Sequence, residues 1–219
     1  MDDSIRFRVN TQNSIRISAE DQGIGIIYAD PLKISGEPHD ADYIFITHDH
    51  YDHFSSDDIY KITKNGTMLI VPRSMLDKAV SESGIFEENI IPVSPGDILE
   101  LSHKLSFQAV PAYNLRKPFH PKGKGWCGYV LSFSGFPVYI AGDTDNLPEN
   151  QGIECAAAFV PVGGTYTMNY KDAAKLVNKI KPLLAVPTHY GSIVGDLDDG
   201  LKFKELIDEG ISVELLLDN

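Results

Sequence analysis

Cysteine is the first thing this sequence lacks. There are two in 219 residues, Cys127 and Cys155. Two thiols supply neither a disulfide framework nor the paired spacing of a thiolate zinc site, and both read as small buried hydrophobes. Long apolar runs are missing as well. No stretch approaches the ~20 residues of a membrane span. The start, Met1-Asp2-Asp3, is acidic, unlike the basic opening of a secretory signal. A cytoplasmic protein without membrane contact is the resulting expectation. Positive charge is in deficit, with 19 Lys and Arg against 31 Asp and Glu for a net charge of −12. That disfavours nucleic acid as a partner, because affinity for phosphate backbones comes mainly from Lys and Arg. Linkers, low-complexity tracts and short repeats are absent, so residues 1–219 read as a single globular domain.

What is present is regular patterning. Strand-like stretches fill the first third: IRFRV (5–9), SIRISA (14–19) and GIGIIYAD (23–30). The third is apolar on both faces, as a central strand is. ADYIFIT (41–47) is another. A helix candidate (56–64), the strand TMLIVP (67–72) and a second helix candidate (73–83) follow, and Pro92, Pro95 and Gly96 mark connections. The second half repeats the style. Strands are expected at 105–110, 126–133, 136–141 and 156–162. A helix over 168–180 carries Ala173, Leu176, Val177 and Ile180 near one face, followed by a strand (183–189), a helix (199–209) and a last strand, SVELLLD. Strands first and strand–helix alternation afterwards, twice over, predicts an α/β (α+β) fold with two sheets face to face and helices outside, a four-layer αββα sandwich.

Histidine is scarce too, seven in all, yet three fall between positions 48 and 53. His48, His50, Asp52 and His53 form H-x-H-x-D-H at the tip of ADYIFIT. Imidazole nitrogen and carboxylate oxygen are the ligand types of Zn²⁺, Mn²⁺ and Fe²⁺. Extended backbone puts His48 and His50 on one side. A turn at Tyr51 then lets Asp52 and His53 face a second ion, and paired hydrolytic metals lie ~3.5–4 Å apart. Further ligands should end strands of the second half. Asp143 follows YIAG, where a carboxylate can bridge two ions, and His189 follows VPT. Taken alone, Asp143 is equally a turn or cap residue and His189 a core histidine; the cluster makes both candidates. Asp30 is either a turn residue before Pro31 or the hydrogen-bond partner of a ligand imidazole.

On Thr47-His48-Asp49-His50-Tyr51-Asp52-His53, Ala141-Gly142-Asp143-Thr144 and Pro187-Thr188-His189-Tyr190-Gly191, the chain resembles the metallo-β-lactamase superfamily. Within it the chain is similar to small hydrolases related to ascorbate-6-phosphate lactonase. The resemblance runs from Asp30 to His189. It implies a metallo-β-lactamase-like αββα sandwich with two metals at one edge. It places His48 and His50 on the first ion, Asp52, His53 and His189 on the second, and Asp143 on both. One departure stands out. Many relatives carry a third histidine for the first ion after a strand such as FQAVPAY, where this chain has Asn114. Either His120 swings in, or the first site has fewer imidazoles and shifts from zinc toward manganese or iron. His120 has a second reading, as a general acid.

No Asp or Glu occurs from Leu101 to Gly142, while Arg116, Lys117, Lys122 and Lys124 crowd one Pro/Gly-rich segment. A basic loop on an acidic protein focuses anions. These four residues, with Asn114 and Tyr166, are the expected substrate contacts, and the expected partner is a small anionic substrate. Phe119 and Trp126 are candidates for an apolar wall. In PVGGTYTMN (161–169), Gly163 and Gly164 free the backbone, Thr165 or Thr167 is placed to cap the next helix, and free N–H groups suit an anionic oxygen.

The expected activity is metal-dependent hydrolysis of an ester, lactone or phosphodiester. Two divalent ions, zinc first and manganese or iron next, activate a bridging hydroxide, and Asp52, His120 and Asp143 are the expected catalytic residues. A nuclease or cyclic phosphodiesterase acting on RNA or nucleotides is the alternative enzyme, and a metal-binding module without catalysis the non-enzymatic one. A homo-oligomer stays open.

Overall fold

A computed structural model describes residues 4–217. The expectations about Met1–Asp3 and the last residue of SVELLLD lie outside the described residues. The first sheet has six strands in chain order: β1 (Arg6–Val9), β2 (Ile15–Ala19), β3 (Gly25–Ala29), β4 (Ala41–Phe45), β5 (Thr63–Pro72) and β6 (Ile90–Val93). The second has seven, also in chain order: β7 (Ile98–Ser102), β8 (Leu105–Pro111), β9 (Cys127–Phe133), β10 (Phe136–Ile140), β11 (Ala157–Pro161), β12 (Leu184–Thr188) and β13 (Ser212–Val213). Each sheet opens with antiparallel strands and turns parallel, at β3–β4 in the first and at β10–β11 in the second.

Alternation explains the layering. Along β2, Ile15, Ile17 and Ala19 face inward and meet Phe107, Tyr129 and Phe159 of the other sheet in one core between the sheets. The opposite faces of the central strands are apolar as well. Ile44 and Leu69 pack under α1 (Ser56–Ile62) and α2 (Leu76–Glu82), while Val160 and Ala185 pack under α3 (Tyr170–Ile180) and α4 (Asp199–Lys204). A strand buried on both faces must be covered on both, and four layers result.

The differences from expectation have local causes. Pro92 falls inside β6 rather than in a connection; β6 pairs only with β5, and an edge strand tolerates the missing donor. β7 lies partly exposed at the edge of its sheet, and its short alternation does not stand out in the sequence. Helix α4 stops at Lys204 because the chain tightens into turns, with Leu206 N–H bonding Phe203 O. The final strand pairs only over Ser212–Val213, since the chain then crosses toward the first sheet, where Leu217 bridges Val9. Asn169, rather than Thr165 or Thr167, caps α3 by accepting from the N–H groups of Lys171 and Asp172. No helix among the described residues is long and apolar enough to cross a membrane.

Candidate metal centre

Parallel strands deliver the functional side chains to one end of both sheets. β4 ends at Phe45, and the backbone continues into a turn at 48–54 closed by bonds from the N–H groups of His53 and Phe54 to His50 O. Asp143 follows β10 and His189 follows β12. Two glycines permit the convergence. At Gly163 an added Cβ would lie 2.2 Å from His189 O, and at Gly142 it would meet Thr47 at 2.9 Å, where φ is also +63°. Asp30 and His189 themselves hold left-handed backbone, φ +47° and +57°, a conformation that costs a non-glycine residue energy and persists where surroundings enforce it.

The side chains meet around Asp143. Its Oδ2 is 3.2 Å from His120 Nε2 and 3.9 Å from His48 Nε2, whereas its Oδ1 is 3.4 Å from His53 Nε2 and 3.3 Å from His189 Nε2. Asp52 Oδ2 lies 3.3 Å from His189 Nε2 and 3.6 Å from His53 Nε2. His48, His50 and His120 form one donor group and Asp52, His53 and His189 another, with His48 and His53 also grouped with Asp143 between them; His48 and His120 face one oxygen of that carboxylate, His53 and His189 the other. Five of the chain's seven histidines converge here.

Each group has an outer frame. Asp30 is fully buried and accepts from Thr47 N–H, Thr47 Oγ1 and Asn13 Nδ2, while His53 Nδ1 lies 2.7 Å from its Oδ2. With the proton held on Nδ1, His53 turns Nε2 inward. Asn114 does the same for His120: its Oδ1 is 2.9 Å from His120 Nδ1 and accepts from the His120 N–H, and its own N–H donates to His120 O. Trp126 backs the first group, its ring 5.0–5.6 Å from those of His48, His50 and His120.

Electrostatics follow from burial and proximity. Burial, then the neighbouring imidazoles, hold His48 and His50 below the ordinary value, so they are neutral donors. Burial acts the same way on His53, but Asp143 and Asp30 outweigh it and its value rises well above normal. Burial pushes Asp52 and Asp143 up, and the facing imidazoles reverse the sign, holding both below the usual carboxylate range. Burial pushes the thiols of Cys127, in the core, and Cys155, partly buried against the second sheet's outer cluster, up to about 12.

The donor set fits divalent cations. His53 Nε2, His120 Nε2, His189 Nε2 and Asp143 Oδ1 are buried without a hydrogen-bond partner. Buried polar atoms are normally paired, and four orphans gathered around Asp143, in both donor groups, call for ligands. The two oxygens of Asp143 stand 3.2 Å from His120 Nε2, 3.4 Å from His53 Nε2 and 3.3 Å from His189 Nε2, close to the ~3.3 Å edge of a tetrahedron with ~2.0–2.1 Å arms.

The structure redistributes the other expected contacts. Asn114 is buried and its amide donates to Tyr166 O and Asp145, so it frames His120 instead of facing substrate. Lys117 bonds Asp145 and Thr167 O, Lys122 bonds Tyr113 and Glu149, and Lys124 lies over Trp126 and 3.9 Å from Asp49. Arg116 lines a different groove with Asp145, Asp172 and Lys175. The N–H groups expected to hold an anion near Gly163 close the loop itself, Gly164 onto Met168 O and Thr165 onto Gly163 O. Of the expected substrate contacts, Tyr166 alone lines the cleft above the centre, a space of about 220 Å³ also bounded by His50, Tyr51, Asp52, Phe119, Asp143 and Ile193. Tyr51 and Ile193 as walls, and Asn13 behind Asp30, escaped sequence reasoning; no local pattern marks them.

A cluster of histidines and carboxylates at the ends of two stacked sheets defines a class of metal-binding αββα proteins. Residues 25–190 match the beta-lactamase superfamily domain, and the chain belongs to that superfamily. It is 29% identical over 228 residues to a UPF0173 metal-dependent hydrolase of Methanopyrus kandleri, covering 96% of each chain. A UPF0173 metal-dependent hydrolase of Thermoplasma volcanium is 31% identical over 183 residues, 80% of this chain and 77% of that one. Among solved structures, a metallo hydrolase of Ignicoccus hospitalis shares the fold with a TM-score of 0.76 at 20% identity, over 97% of this chain and 95% of the other.

Proposed function

We propose that the chain is a hydrolase that holds two divalent ions, zinc in first place, and cleaves an ester or lactone. The observation that carries this is Asp143, whose two oxygens face two separate donor groups. The names of the M. kandleri and T. volcanium relatives support the metal-dependent hydrolase reading. His48, His50 and His120 would hold one ion, Asp52, His53 and His189 the other, and Asp143 both. The third imidazole that Asn114 does not provide comes from His120, which restores the case for zinc.

Bound ions supply Lewis acidity and bring the pKa of water into the neutral range. The chain's own residues do the rest. Asp30 and Asn114 fix the ring orientation of His53 and His120. Asp52 lines the cleft, where its carboxylate can take the proton of the attacking water. His120 is 1% exposed and does not line the cleft, so it has no path to a leaving group and the general-acid role moves to water entering from the open side. The nuclease reading weakens because no Lys or Arg among the described residues borders the cleft. The non-catalytic reading rested on Asn114, which orients a donor.

The test is metal content and turnover in Asp143→Ala. Two ions per chain in the native protein should fall below one, and kcat/KM should drop at least a thousand-fold on whichever ester, lactone or phosphodiester is turned over. Native-level turnover in the variant would refute the assignment.

A further inference from the structure

The loop that follows Asn114 carries the chain's densest positive charge, yet two of its four cations act as staples. Lys117 ties it to Asp145 and to Thr167 O at 2.6 Å, and Lys122 ties it to Glu149 at 3.3 Å and Tyr113 at 3.2 Å. What the loop presents to the cleft is Phe119. That ring meets Tyr166 edge-on, centroids 4.6 Å apart, which joins the 115–125 loop to the 163–168 loop above the carboxylates. Tyr51, 71% exposed, and Ile193, 37% exposed, complete the wall.

The cleft thus has a polar floor of His50, Asp52 and Asp143 and a rim of three aromatic rings and one branched alkyl chain. An anionic group lodged at that rim would lose water and gain no counter-charge, which is unfavourable. An apolar group would bury against the rings. The exposure of Tyr51 and Phe119 supports the same conclusion: large apolar side chains left bare around a concave site mark what the site takes up. The space, about 220 Å³, equals about seven waters at ~30 Å³ each, enough for one phenyl ring or a short branched chain.

We infer that, given the hydrolase reading above, the substrate is a small neutral ester or lactone whose non-reacting part is apolar and packs between Phe119, Tyr166, Tyr51 and Ile193. The basic loop shapes this wall instead of clasping an anion. Phe119 is its specificity-determining residue.

Phenyl butyrate and phenyl hydrogen succinate differ by a methyl against a carboxylate at the chain end. With the metal-loaded protein, kcat/KM for the butyrate should exceed that for the succinate at least ten-fold. Phe119→Ala should lower this ratio at least five-fold through KM for the butyrate, Phe119→Leu should keep most of it, and Phe119→Arg should bring it to one or below. Phe119 is 42% exposed, so these variants should fold, and unchanged metal content checks that. Equal or faster succinate hydrolysis, or a ratio indifferent to Phe119→Ala, overturns the inference. Calorimetric binding of the matching anilides, butyranilide and succinanilate, separates the two readings. If neither these esters nor any of a panel of lactones is hydrolysed but butyranilide binds more tightly and Phe119→Ala removes the difference, the wall stands and the hydrolase reading falls. If succinanilate binds as well or better, the wall reading falls by itself.

Discussion

The two donor groups that share Asp143 are built in different ways. Asp52, His53 and His189 come from one tight turn and one strand end, and their frame is Asp30, whose carboxylate takes four hydrogen bonds at 2.7–2.8 Å in a fully buried position. His48, His50 and His120 draw their third member from a loop, fastened by one amide, Asn114. The second group includes a carboxylate of its own; the first has only imidazoles. Anionic and pre-ordered donors bind a cation more tightly than neutral donors on a longer tether. The group around Asp52 should therefore fill first and empty last.

The largest effect should come from attacking the rigid frame. Asp30→Ala strands Thr47 N–H, Asn13 Nδ2 and His53 Nδ1 without their acceptor in the interior. Loss of a buried, multiply bonded carboxylate costs about 3–5 kcal/mol, measured as a fall in the urea midpoint of the metal-free protein. Metal titration of whatever remains folded should show the order of filling lost. Normal stability with the order intact would mean that the left-handed turn at Asp30, and not its hydrogen bonds, holds the group.

Asn114→Ala should act on the other side and more gently. His120 loses the acceptor at Nδ1 while the backbone bond from Asn114 N–H to His120 O persists. Removal of such a partner typically lowers metal affinity 10–100-fold. The weaker of two stepwise dissociation constants should rise by that factor, the tighter one staying within about two-fold. If both rise together, the groups are coupled through Asp143 and the contrast between them is false.

The same contrast decided what could be read in advance. The turn at 48–53 is local, so H-x-H-x-D-H declares itself by spacing. Asp143 and His189 follow strands, and parallel strands in stacked sheets bring their carboxyl ends together, which makes distant residues legible once the layers are. His120 was legible only as one of two options, because its direction depends on bonds closed across a six-residue loop. The charges of Lys117 and Lys122 were plain, but their partners, Asp145 and Glu149, stand 28 and 27 residues away. Charge is written in the sequence; the direction in which a long side chain uses it depends on partners that only the fold supplies. Asp30 was readable as an alternative from its place at a strand end, and Asn13 behind it was not.

The smallest effect concerns the helix that leaves the rigid turn. Asp58, in the first turn of α1, accepts from the N–H groups of Lys33 and Ile34, from Ser55 Oγ and from Lys61 Nζ. Burial pushes its carboxyl up, but Lys61, Ser55 and the two backbone donors prevail and hold it below the usual range. A carboxylate with a depressed folded value contributes stability that is complete above its unfolded value of about 3.9 and disappears as pH falls through the lower folded value. Asp58→Ala should cost about 1–2 kcal/mol at pH 7, and less below pH 4, where the native protein loses the same bonds. Stepwise metal titration at pH 7 should keep its order, since Asp30 still holds His53. An inverted order in Asp58→Ala would place the rigidity of the second group in the anchoring of α1 instead of in the bonds to Asp30.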